Sequence, residues 1–102
     1  MAVESDSQIK NLQTLITDLT TQGRKEEISE SEFSAAFSQA AKTLELDDKT
    51  IIRLIGVSRP TIQRWKSGES APFVLARPAI FDSLRKIAVD KLNTYTPHTP
   101  NL

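Results

Sequence analysis

Within residues 58–67, SRPTIQRWKS, polar side chains at Arg59, Gln63 and Arg64 alternate with apolar ones at Ile62 and Trp65, three apart. If the segment is helical, Ile62 and Trp65 share one face. Arg59, Pro60, Gln63, Arg64 and Ser67 are then left toward the opposite, solvent-facing side. Arginine and glutamine make two hydrogen bonds at once to guanine or adenine edges in a major groove, and a helix N-terminus favours phosphate. The chemistry that fits this pattern is recognition of double-stranded DNA. Helical packing accounts fully for Val57, Ile62 and Trp65. It does not account for two arginines and a glutamine together on the exposed side.

Other chemistries find less support. The chain has no cysteine and one histidine, His98, so it offers no disulfide, no thiolate metal site and no histidine cluster. Glu26, Glu27, Glu30 and Glu32 are close in sequence, yet nothing marks a glycine-rich phosphate loop, a metal set or a nucleophile beside a base. No catalytic activity and no cofactor are expected. Charge is divided unevenly. Residues 1–48 carry four Lys/Arg against ten Asp/Glu, and residues 49–102 carry nine against three, a balance of minus six followed by plus six. The formal net charge of zero therefore hides a basic half able to attract phosphate, since charges beyond a Debye length of about 10 Å are screened. No apolar run is long enough to span a bilayer and MAVESDSQ does not resemble a signal peptide, so no membrane association and a cytoplasmic location are expected.

The elements that must position these residues are all helical. At 102 residues the chain fits one small domain. In residues 8–22, Ile9, Leu12, Ile16 and Leu19 recur at steps of three and four with Leu15 alongside, which predicts an amphipathic helix ended near Gly23. The same spacing suits a short coiled-coil seam. Ser29 and Glu32 have capping-box spacing, followed by the stripe Phe33, Ala36, Phe37, Ala40, Ala41 and Leu44. Asp47 or Asp48 offers an N-cap for a short helix through Ile55, and Ser58 offers one for a helix reaching Ser67, with the Thr61 N–H as its partner because Pro60 has none. Gly56 can supply positive φ at the bend and Gly68 a left-handed C-cap. Val57, Ile62 and Trp65 are expected to pack against Ile51 and Ile55. Pro78 suits the first turn of a final helix with the stripe Ile80, Leu84, Ile87 and Ala88, flanked by Phe81 and Leu92. No strand pattern or repeat emerges. The expectation is an all-α compact bundle of about five helices.

IIRLIGVSRPTIQRWKSGESAP resembles the Cro/λ-repressor-type (XRE) helix-turn-helix family. Gly56, Val57, Ser58, Thr61, Ile62, Trp65, Gly68 and Pro72 stand at the family's intervals, and the resemblance extends from Glu32 to about Leu92. It implies a λ-repressor-like domain in which Lys49–Ile55 is the supporting helix and Arg59–Ser67 the recognition helix. Arg59, Pro60 and Arg64 would stand where bases are most often touched, with Gln63 and Ser67 as secondary contacts. Lys49, Thr50, Thr61 and Lys66 complete the implied DNA-binding set. Three positions depart from the family. Asp48 stands where many members hold phosphate with glutamine, and a carboxylate repels phosphate. Ile52 replaces a small residue between the two helices, and Glu69 occupies a loop that is often basic.

The reading as a whole is a sequence-specific transcriptional regulator, a repressor acting as a homodimer. It has an N-terminal extension (1–28), a DNA-binding domain (29–93, motif 48–72) and a flexible tail (94–102). Either the N-terminal seam or the final helix would pair the subunits. Because Ile51, Ile52, Leu54 and Ile55 cover nearly the whole circumference of their helix, the N-terminal helix is expected to pack on the domain, in its own chain or a partner's. The rival reading is an antitoxin or adaptor that carries the same core and grips another protein through residues 1–28.

Overall fold

The computed structural model describes the backbone of residues 3–95 and the side chains of residues 6–95. Among these are five α-helices and no strand: α1 (Val3–Gly23), α2 (Glu30–Thr43), α3 (Asp48–Ile55), α4 (Arg59–Ser67) and α5 (Arg77–Tyr95), with a 3₁₀ turn at Val74–Ala76. The fold is the expected all-α bundle. No helix among the described residues is long and apolar enough to cross a membrane.

The helix starts follow from side-chain caps. Ser29 Oγ accepts from the Glu32 N–H (3.1 Å) while Glu32 Oε1 accepts from the Ser29 N–H (2.9 Å), a complete capping box. Lys25 pairs with the other Glu32 oxygen. These contacts hold the Glu32 carboxyl down at about 2, the Lys25 hydrogen bond contributing most and the Ser29 backbone next. Of the two aspartates before α3, Asp47 is the cap, accepting from the Thr50 N–H at 2.9 Å. Asp48 is the first helical residue and is engaged elsewhere. Ser58 caps α4 through the Thr61 N–H at 3.3 Å.

Two helix boundaries differ from the sequence expectation. α1 begins at Val3, five residues before residue 8, in keeping with the preference of acidic residues such as Asp6 for a helix N-terminus. α5 continues past Asn93 to Tyr95, so the first two residues of the expected tail are helical, with Thr94 Oγ1 bonded back to the Lys91 carbonyl at 2.6 Å. The remainder of that tail, His98 included, lies outside the described residues.

The two long helices pack on each other and run antiparallel. Gly23 at the end of α1 faces Phe81 near the start of α5, while Gln8 and Asn11 share a groove with Lys91 and Tyr95 at the other end. Leu12, Leu15 and Leu19 of α1 and Phe81, Leu84 and Ala88 of α5 are buried. Ile9 and Ile16 sit at the margin of the α1 stripe, as do Ile80 and Ile87 on α5. Both stripes expected to pair subunits therefore meet inside one chain. α1 packs chiefly on α5 and secondarily on α2. It does not serve as the cover expected for α3, where Leu54 remains 49% exposed.

The centre of the core is aromatic. Phe33 stacks on Phe37 and on Phe81, with centroids at 5.5 and 5.4 Å. Trp65 meets Phe33 and Phe37 edge-on, both at 5.4 Å. Trp65 thus joins α4 to α2 as well as lying on the face expected to meet α3. Arg77 is buried and donates to the Ile28 carbonyl (2.6 Å) and the Pro72 carbonyl (2.7 Å). It ties the loop after α4 to the α1–α2 junction and satisfies carbonyls that burial would otherwise leave without partners.

Candidate nucleic-acid interface

The bend between α3 and α4 is made by backbone conformation. Gly56 ends α3 in the left-handed region (φ 84°), its N–H bonded to the Ile52 carbonyl at 2.8 Å, a conformation that any Cβ would strain. Val57 is half-buried, Ser58 opens the nine-residue α4, and Gly68 closes it with φ 83°. Ile62 and Trp65 are buried, as is Ile51 on α3, which packs against α4. Together they form a helix–turn–helix with its second helix partly exposed.

α2 holds α4 in place through two hydroxyls. Ser34 Oγ and Ser38 Oγ both donate to the Lys66 carbonyl, at 3.3 and 3.2 Å, and so satisfy one of the carbonyls that a helix C-terminus leaves open. With Trp65 set edge-on against the Phe33–Phe37 stack, this fixes the roll of α4 about its axis.

That roll decides which residues face outward. Arg59, Pro60, Gln63, Arg64 and Ser67 are all exposed, and Lys49 is exposed at the start of α3. The Arg64 side chain makes no hydrogen bond or ion pair among the described residues, so its donors are unengaged. Thr50 is half-buried, its N–H occupied by Asp47. The two other hydroxyls in the implied set are turned to local work. Thr61 Oγ1 lies 2.9 Å from Ser58 Oγ within the cap, and Ser67 Oγ donates to the Arg64 carbonyl at 3.1 Å. The side chains presented to a ligand are therefore the long ones: Arg59, Gln63 and Arg64, with Lys66 at the edge.

Three of those four converge on one carboxylate. Gln63 Nε2 donates to Asp48 Oδ2 at 2.6 Å, Lys66 Nζ to Oδ1 at 3.1 Å, and Arg59 Nε lies 3.6 Å from Oδ2. Residues 59, 63 and 66 follow i, i+4, i+7 and so form the edge of α4 nearest α3. Asp48 is held below the usual carboxylate range, first by the Lys66 hydrogen bond and then by Gln63, against a desolvation penalty. In the sequence Asp48 stands out only as a possible cap or as a departure from a phosphate-binding position. Its convergence with Arg59, Gln63 and Lys66 could not be read there because Asp47 and Asp48 are adjacent and interchangeable as capping residues. Ser34 and Ser38 were also missed, although a serine pair at i, i+4 beside an apolar stripe is a visible signal.

The interface is uneven in charge. Lys49, Arg53, Arg59, Arg64 and Lys66 are brought by α3 and α4, against Asp48 on α3 and the capping Asp47. No family model, curated protein or solved structure matches this chain.

Proposed function

We propose that the protein is a sequence-specific double-stranded DNA-binding regulator that inserts α4 into the major groove. The observation that carries this reading is the outward presentation of Arg59, Gln63 and Arg64 on a helix whose opposite side is anchored by Ile62 and Trp65. Side chains with two-donor or donor-and-acceptor ends, held on a rigid helix at the surface, suit base-edge readout. Lys49 is exposed and available to phosphate, and repression by occupancy of the site is the simplest outcome.

A nine-residue recognition helix covers only a few base pairs, and a homodimer on a two-fold symmetric site supplies the remainder. With the α1 and α5 stripes facing each other, the contact between copies falls to apolar residues left outside. Phe73, Val74 and Leu75, just beyond α4, are 71, 45 and 83% exposed. No catalytic role and no cofactor are proposed.

The test is selection of bound duplexes from a random-sequence pool. Enrichment of a palindrome with half-sites about 34–36 Å apart is expected. A pool that stays random after repeated rounds refutes the reading.

A further inference from the structure

Asp48 is unusual as a neighbour of a surface meant for a polyanion. Its side chain is 20% exposed, and both its oxygens are engaged by donors from α4, the helix proposed to enter the groove. Oδ2 receives Gln63 and faces Arg59, while Oδ1 receives Lys66. One amide proton of Gln63 is thereby fixed toward α3. This orients the amide plane and leaves Oε1 and the second N–H as the groups a base can meet. Arg59 Nε and Lys66 Nζ are turned toward this carboxylate, which competes with phosphate for both cations.

We propose that Asp48 is a specificity-determining positioning residue: it sets the orientation of Gln63 for base readout and withholds Lys66 and Arg59 from indiscriminate phosphate contact. The inference rests on the DNA-reading function proposed above. The physical reasoning has two parts. Non-specific binding is almost wholly a matter of phosphate neutralisation and counterion release, so a carboxylate beside the interface weakens random sites directly. A glutamine amide that is already oriented loses less freedom on meeting a base, and that benefit arises only where the base matches. Both effects widen the gap between the correct site and the rest.

Asp48→Asn keeps the shape and removes the charge. Each further phosphate contact steepens the dependence of log affinity on log salt by about 0.9, and at about 0.1 M salt it tightens binding roughly eightfold. For each of Lys66 and Arg59 that it frees, Asp48→Asn should therefore bind random duplex roughly eightfold tighter, with a salt slope steeper by about 0.9, while its affinity for the selected site rises less or falls. Asp48→Glu, which restores the charge, should return random affinity toward that of the parent. A purely structural role at the start of α3 would show none of this selectivity. Independently of any variant, the Gln63 side-chain amide of the parent should be more rigid by ¹H–¹⁵N relaxation than that of exposed Gln13. Unchanged or weaker random binding by Asp48→Asn, or a Gln63 amide as mobile as that of Gln13, would overturn the proposal while leaving DNA binding by the parent intact. A parent that binds no duplex refutes the function itself and this inference with it.

Discussion

Replacing Trp65 by alanine tests the way α4 is held. The indole is 5% exposed and makes two edge-on contacts, with Phe33 and Phe37, at 5.4 Å. Truncating a buried tryptophan costs about 3–5 kcal/mol. Favourable aromatic pairs contribute about 0.5–1.5 kcal/mol each beyond burial, which places this site toward the upper end. In a domain of this size 1 kcal/mol moves the melting temperature by about 4–8 °C, so a fall of about 20 °C or more is expected. Small domains hold only about 5–15 kcal/mol in total, and the variant should still fold at low temperature. Thermal unfolding followed by circular dichroism, with Trp65→Phe as an intermediate case, provides the measurement. A variant that melts like the parent would show that Trp65 is not core. The roll assigned to α4, and with it the outward face of Arg59, Gln63 and Arg64, would then be wrong.

Leu12→Ala should destabilise the protein by about 2–5 kcal/mol equally at dilute and concentrated protein, because Leu12 is buried within its own chain; a loss that vanishes in the monomer would return α1 to the subunit interface. Leu75→Asp should leave the melting temperature unchanged and convert dimer to monomer in sedimentation, since Leu75 is 83% exposed; persistence of the dimer would move the contact away from the Phe73–Leu75 strip. Glu32, lowered from 4.5 to about 2 in the folded state, contributes stability that is fully present above pH 4.5 and is lost as pH falls toward 2. The melting temperature of Glu32→Gln should therefore fall less steeply than that of the parent across this window, and parallel curves would contradict the capping-box and Lys25 contacts.

The helices could be read from the sequence because each carries its own punctuation. Ser29 with Glu32, Ser58 with Thr61, and the glycines at 56 and 68 are local signals, and all four form as written. What each apolar stripe packs against is not local. The stripes of α1 and α5 state only that each needs a partner, and a partner in another chain satisfies the pattern as well as one in the same chain. The weight given to Ile80 and Ile87 over Phe81 has the same origin, since a few tens of degrees of helix roll separate the centre of a stripe from its edge. Trp65 could be recognised as inward, yet its partners on α2 lie far back in the chain. Within the candidate site, Arg59, Gln63 and Arg64 were legible because facing follows from Ile62 and Trp65. The part played by Asp48 required the crossing of α3 over α4, and the buried Arg77 required knowing which loop carbonyls come together.

The most direct measurement is the affinity of Arg64→Ala for the selected duplex and for random duplex, each against the parent. Arg64 is exposed on α4 with its guanidinium unengaged, and loss of a bidentate base contact should cost about 1–3 kcal/mol on the selected site, with preference relaxed at one base pair. On random duplex the loss should be smaller. Equal losses on both would make Arg64 a phosphate contact, and no loss on either would contradict the assignment of α4 as the reading helix.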